Sequence, residues 1–271
     1  MTSQGLSGQA SDTARRAANS KWLERTARIG FVVSGLLHLL IAWIALQIAW
    51  TNAKARADQS GALGMLADHS WGVVVLWLGV LGFVGLTLWQ IADALLGRHG
   101  GDAKEVAGAR IKAASKAVVY AALAYTTFAF AHGAGKSSSK QTKDFTHSLL
   151  SHSGGRVLVV VIGLVVIGVG VYHVYKGWTR GFHKDLVQHP GTTVEYLGVA
   201  GYIAKGIALV VVGGLFCLAG FQKQASEATG LDGALKTLRE QPAGSWLLTV
   251  VALGLAAYGL YSFARARYAK L

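Results

Sequence analysis

A chain of 271 residues in which 52% are hydrophobic and only 14% charged is too apolar for a water-soluble domain, where charged residues make up about a quarter. The net charge of +13 does not single out nucleic acid, because the basic residues sit in short segments between apolar runs, as juxtamembrane charge does. The bilayer is the solvent that this composition fits, and no nucleic-acid partner is expected.

Residues 1–22 are polar, carry Arg15 and Arg16 and contain no apolar core, so they read as a disordered cytoplasmic tail rather than a cleavable signal. Six apolar runs then follow, Ile29 to Trp50, Trp71 to Leu96, Ala113 to Ala131, Val157 to Tyr175, Val199 to Phe221 and Trp246 to Phe263. Each approaches or exceeds the roughly 20 residues needed to cross about 30 Å of hydrocarbon. Pro190 and Pro242 fall in connections, so no spanning helix carries a proline break of the kind that many transporters place at their substrate sites. Cys217, the single cysteine, lies inside an apolar run and has no intrachain disulfide partner.

Lys and Arg concentrate in the N-terminal segment, the second and fourth connections and the C-terminal end. Cytoplasmic loops collect such residues, so a bacterial plasma-membrane protein with both termini cytoplasmic is expected. Trp50, Trp71, Trp89, Trp178 and Trp246 stand at the ends of the runs, where an aromatic belt belongs.

The apolar runs repeat. Ile29-Gly-Phe-Val-Val-Ser34-Gly35-Leu-Leu-His38 returns as Ile111-Lys-Ala-Ala-Ser-Lys116-Ala117-Val-Val-Tyr120 and as Ala200-Gly-Tyr-Ile-Ala-Lys205-Gly206-Ile-Ala-Leu209. The recurrence divides one membrane domain into three helical hairpins, at 23–98, 99–184 and 185–271. Each outer connection also carries a short helical stripe, Ser60 to Leu66, Asp144 to Leu150 and Asp232 to Leu238, with Ser or Asp in the position of a helix cap. These stripes read as interfacial helices at the outer membrane surface.

Three copies of a helix pair, with small residues at Gly35, Ala117 and Gly206 and with Gly230-Leu-Asp-Gly-Ala-Leu-Lys-Thr-Leu238 leading into Gln241-Pro-Ala-Gly244, resemble a bacterial membrane family known as domain-of-unknown-function family 1206. The resemblance runs from Leu23 to Ala266. It implies an all-α integral membrane protein of six transmembrane helices, and it brings no activity and no catalytic residues.

In lipid, close helix approach needs small residues, and Gly30 with Ser34, Ala113 with Ala117 and Ala121, Gly213 with Cys217, and Ala252 with Ala256 lie at the spacing that makes a packing groove, beside Gly35 and Gly206. Intramembrane ionisable residues are costly, so His38, Asp93, Lys116 and Lys205 are the candidate polar positions. Lys116 and Lys205 are long enough to snorkel to the interface. A pair between Lys205 and Asp93 is an alternative that cancels two charges. His38 and His173 are the one conceivable axial pair for a haem, but they sit at different depths, and His38 reads as a polar packing residue. His69, His132, His147 and His152 are scattered and form no metal motif. No phosphate loop, metalloprotease pair or serine elbow is present, so no cofactor, metal or catalytic residue is expected.

The leading expectation is a non-enzymatic accessory or scaffolding module in the lipid bilayer, docking a membrane-protein partner or a second copy through its small-residue grooves. The alternative is a small channel or transporter with a polar path past His38, Asp93, Lys116 and Lys205, which requires those side chains to face one another. A haem-binding electron carrier comes last.

Overall fold

The computed structural model describes residues 21–51, 55–96 and 102–270, so the tail, apart from Lys21 and Trp22, lies outside the described residues, as do Lys54 and Arg98. Six helices among them are long and apolar enough to cross a membrane. They are α1 (Lys21–Trp50), α3 (Ser70–Leu96), α4 (Ala103–Ala131), α6 (Gly155–Trp178), α7 (Thr192–Gln222) and α9 (Gly244–Tyr268). Shorter helices α2 (Gln59–Ala67), α5 (Ser138–Leu150) and α8 (Gly230–Arg239) occupy the three outer connections. The fold is an all-helical membrane protein.

Five of the spanning helices outrun their apolar cores by five or more residues, because polar turns at one or both ends continue the helix beyond the apolar run. Helix α4 begins ten residues before Ala113, where the Asp102 carboxylate accepts the Glu105 backbone N–H at 2.9 Å. At 1.5 Å per residue its 29 residues reach about 44 Å, more than the hydrocarbon alone requires.

The spanning helices pack in the order α4, α3, α1, α9, α7, α6, with α1 against α9 at the centre. Small residues set these contacts. A Cβ added to Gly30 would lie 2.7 Å from the Gly82 carbonyl, one on Gly35 2.8 Å from the Gly259 carbonyl, and one on Gly206 2.6 Å from the Gly170 carbonyl. Gly213 meets Gly163 in the same way at 2.6 Å, and Ala117 and Ala252 are buried. Helices α1 and α3 pack as a pair, and so do α7 and α9, whereas α4 and α6 stand at opposite ends of the order and make no extensive contact. The second repeat is a hairpin in connectivity only.

Both ends of the described chain lie on one face, called here the terminal face, because Arg28 Nη1 donates to the carbonyls of Ala266 and Arg267, each at 2.6 Å. At the opposite face Trp50 donates through Nε1 to Thr249 Oγ1 at 2.9 Å and stacks edge-on against Trp246. The outer helices sit against the bundle rather than merely on the membrane surface: Leu63, Leu66 and Leu235 are fully buried in the main core. Their starts also differ from the sequence expectation. Asp58, not Ser60, caps α2 through Gly61 N–H, Ser137 caps α5, and Asp144 is interior to that helix. Asp232 lies in the first turn of α8, where its carboxylate accepts the Ala57 N–H across the repeats at 2.9 Å and pairs with Lys236 at 2.8 Å. A cap signal at the wrong position was misleading because the carboxylate serves tertiary contact instead.

Candidate functional site

In the terminal half of the bundle, polar side chains from five spanning helices converge on the last turns of α9. The His38 ring on α1 packs 4.7 Å from the Tyr258 ring, and the Lys205 ammonium on α7 stands 4.2 Å over the centroid of that same ring. His38 Nδ1 lies 2.7 Å from the Ser34 carbonyl, which only accepts, so Nδ1 carries a proton and donates it there, leaving Nε2 as the nitrogen not engaged by this bond. Tyr202 on α7 lies 5.4 Å from Tyr258 and 5.7 Å from Tyr261, ring to ring, and His173 on α6 packs against it at 5.7 Å. The Lys176 ammonium lies 5.3 Å from the Tyr202 ring and is ion-paired with Asp185.

Arg265 is the hub. Its guanidinium lies 4.3 Å over the Phe31 ring, and the phenols of Tyr120, Tyr202, Tyr258 and Tyr261 all fall within its electrostatic range. Lys116 on α4 lies within range of Asp185, Arg265 and Lys176. Four cations, Lys116, Lys176, Lys205 and Arg265, thus share this region with the Asp185 carboxylate. The Tyr261 hydroxyl and Arg265 Nε are buried without a hydrogen-bond partner among the described residues.

The connection between α6 and α7 covers the cluster. A 3₁₀ turn, Gly181–Asp185, places Phe182, fully buried, against Tyr202 in a parallel stack at 5.4 Å and against Tyr261 at 5.2 Å. Two backbone bonds fasten this turn to the C-terminal segment, Val187 N–H to the Tyr268 carbonyl at 2.8 Å and Lys270 N–H to the Asp185 carbonyl at 3.0 Å, around the bridge between Leu186 and Ala269. Burial alone would raise the pKa of Asp185, but Lys176, with Arg265 and Lys116 behind it, outweighs burial and holds the carboxyl below its ordinary value.

Next to this cover, Glu195 accepts from Arg180 Nε at 2.9 Å and from His189 Nε2 at 2.9 Å, with His183 Nε2 at 3.6 Å. The donor atoms of His183, His189 and Glu195 lie within 4.8 Å of one another, a spacing that suits a metal ion. The tautomer argues otherwise. His189 Nδ1 accepts the Gly191 N–H at 3.1 Å, so the ring proton is on Nε2 and points at Glu195, where a cation would have to sit. The trio is best described as a hydrogen-bonded latch at the start of α7.

Of the four polar positions expected from the sequence, His38, Lys116 and Lys205 come together and Asp93 stands apart. Asp93 lies on α3, which packs on α1 and α4, whereas Lys205 lies on α7, so the Lys205 to Asp93 pair is replaced by the Lys205 contact with Tyr258. Lys205 turns inward to that ring rather than snorkelling. His38 and His173 pack on different tyrosines, Tyr258 and Tyr202, whose rings meet each other, so the two histidines do not face across a slot for a macrocycle. His69 packs on Trp71 and His132 on Phe128, both away from this cluster.

The profile of a family described as Domain of Unknown Function (DUF1206) matches the chain three times, at residues 29–97, 111–180 and 200–269. The chain belongs to the DUF1206 family. The uncharacterized protein YxxB of Bacillus subtilis (strain 168) is 27% identical over 254 residues, covering 91% of each chain. No solved structure matches.

The three DUF1206 matches begin at the spacing that separates Ser34, Lys116 and Lys205, and they expose a second equivalent set. Trp89-Gln-Ile-Ala-Asp93, Tyr172-His-Val-Tyr-Lys176 and Tyr261-Ser-Phe-Ala-Arg265 occupy the same place near the end of each repeat. In two of the repeats both positions, one on each helix, feed the cluster: Lys116 and Lys176 from the second copy, Lys205 and Arg265 from the third. The first copy has Ser34 and Asp93 at these places, neither of them a cation, and Asp93 lies away from the cluster. Lys176 and Arg265 fall just past apolar runs, where single segments show them only as part of the basic fourth connection and C-terminal end; aligning the second helices of the repeats is the signal that separates them.

Proposed function

We propose that this DUF1206 protein is a non-enzymatic membrane carrier whose solute site is the polar cluster around Arg265, entered from the terminal face. The observation that carries the reading is the convergence of His38, Lys116, Lys176, Lys205 and Arg265 with four tyrosines in one half of the bundle. Burying several charges in lipid is costly, and such residues face a functional interior when they occur together.

The polar run stops near His38. Beyond it the centre is Ile41, Ile44, Ala45, Ile48, Val251 and Ala252, all buried and apolar. A continuous open pore does not fit that interior, whereas a site open to one side at a time does. With Lys and Arg crowded on the terminal face, that side is assigned to the cytoplasm of a bacterial plasma membrane.

The accessory reading rested on small-residue grooves left over for a partner. The grooves at Gly30, Gly35, Gly206 and Gly213 are filled by the chain's own helices, so they offer a partner or second copy little room. The test is flux into proteoliposomes, using inorganic phosphate, acetate and rubidium as probe solutes, with wild type and Lys205→Met. Uptake of one probe that falls at least tenfold in the variant supports a carrier. No protein-dependent uptake of any probe, together with co-purification in a larger membrane assembly, returns the accessory role.

A further inference from the structure

We infer that the solute of this site is a small oxyanion, a carboxylate or phosphate group seated between Arg265, Tyr261 and the ammonium groups of Lys116 and Lys205. The inference rests on the carrier reading for its setting, but its own support is the donor inventory. No ion pair engages Lys116, Lys205 or Arg265 among the described residues: Lys205 faces the Tyr258 ring and Arg265 the Phe31 ring. The acceptors that Lys205 and Arg265 do find, the phenol oxygens of Tyr258 and Tyr120, carry no formal charge, so no anion among the described residues balances either cation.

Two further donors lie beside these cations, and the nearest candidate partner of one of them, the Tyr202 hydroxyl facing Tyr261, stands too far off for a well-formed hydrogen bond. Tyr261 Oη and Arg265 Nε are each buried and unpartnered, and the tyrosine is fully inaccessible to solvent. A buried donor left unmade costs the full desolvation of the group, so orphaned donors beside unpaired cations describe the complement of an acceptor-rich anion. The planar guanidinium fork fits a group that presents two oxygens, which favours carboxylate or phosphate over a spherical ion. Asp185 does not fill this role alone, because its Oδ2 is paired with Lys176, its backbone carbonyl accepts from Lys270, and one carboxylate stands against Lys116, Lys176 and Arg265 together.

Both a free anion and an anionic lipid headgroup present this chemistry, and α4 and α6 leave the cluster without a packed helix pair on that side. The experiment is isothermal titration of the full chain in phosphatidylcholine nanodiscs with inorganic phosphate and with acetate, against choline as a cation control. It is repeated in discs containing phosphatidylglycerol. Saturable binding of phosphate or acetate, weakened at least tenfold by Arg265→Gln and about threefold or more by Tyr261→Phe, is the expected result. Tyr261→Phe keeps the ring stacking and removes only the hydroxyl, so it remains informative if Arg265→Gln does not fold.

Binding that is present in phosphatidylcholine and abolished by phosphatidylglycerol supports the site and identifies a lipid headgroup as its occupant. The inference is overturned if neither anion binds, or if both variants fold and bind as wild type does. Protein-dependent rubidium uptake without anion binding overturns it while leaving the carrier reading in place. Anion binding with no flux of any probe upholds the site and removes the carrier.

Discussion

Between the terminal face and the middle of the bundle, α9 presents Arg265, Tyr261 and Tyr258 to its neighbours, and α1 presents His38. Toward the opposite face the same two helices present Leu248, Val251 and Ala252 against Ile41, Ile44, Ala45 and Ile48. Along this stretch the two central helices achieve burial and close packing with apolar side chains alone, and the buried polar groups of that half belong to its outer helices and flanking helix ends. If folding were all that the interior had to do, the other half would be built in the same way, since well-packed apolar residues are as stable as a buried charge network or more so. In the terminal half the aromatic rings of the same two helices instead lie under cations, with no carboxylate paired to Lys205 or Arg265, which is the contrast that the proposed carrier role accounts for.

That comparison breaks if the apolar half tolerates charge. Ile44 is 2% exposed, and a carboxylate there has a stem too short to snorkel. Ile44→Asp is expected to cost at least about 4 kcal/mol, from the lost aliphatic contacts and an unpaired intramembrane charge together. The measurement is recovery of a monodisperse peak after detergent extraction, which should be abolished. A variant that extracts and melts like wild type would mean that the opposite half is wet and that the path crosses the whole membrane.

The next effect belongs to the cover. Phe182 fills the space between Tyr202 and Tyr261, and Phe182→Ala should cost about 3 kcal/mol by leaving a cavity, with a lower melting temperature in detergent. If the segment is also the barrier to the site, the same variant speeds solute exchange. Lower stability with unchanged exchange would make the turn a structural plug alone.

How much of this was legible in the chain follows from what leaves a local trace. The spans did, because an apolar run of the right length is a property of contiguous residues, and so did the small-residue seams at Gly30, Gly35, Gly206 and Gly213. The convergence of His38, Lys116 and Lys205 was legible as a condition to be met but not as a fact, since it depends on which helix packs on which. The order α4, α3, α1, α9, α7, α6 separates the two helices of the second repeat, and no periodicity in a single segment encodes that. The tyrosines and Phe182 were hidden for another reason: aromatic residues near helix ends read as interfacial belt unless their burial is known. Asp93 was selected by the same rule as Lys205, yet it belongs to the repeat that contributes no cation.

A smaller effect tests the fastening between cover and bundle. Asp185→Asn removes one partner of the pair with Lys176, and because both side chains keep some access to water, the expected loss is about 1–2 kcal/mol. The pH dependence has a defined sign. Since the folded-state pKa of Asp185 is depressed, its contribution is complete above the ordinary carboxylate value of 3.8 and is lost as pH falls through the lowered one. Melting temperature against pH should therefore show wild type losing, on acidification below 3.8, an increment that Asp185→Asn never had. Parallel curves for the two proteins would mean that the pair contributes nothing to closure.

The smallest effect on stability is the most informative about function. Lys205→Met keeps the length and bulk of the stem and removes the charge, so the variant forfeits a ring contact of about 1 kcal/mol and gains relief from an unpaired cation. The two contributions nearly cancel, and the melting temperature should stay within about 2 °C of wild type, equivalent to about 1 kcal/mol or less for a chain of this size. On the proposed carrier role, flux or anion binding should nevertheless fall at least tenfold, because the ammonium then serves the solute rather than Tyr258. A site whose charges served packing would behave the other way, losing stability when Lys205 is neutralised while uptake and binding stayed as they were.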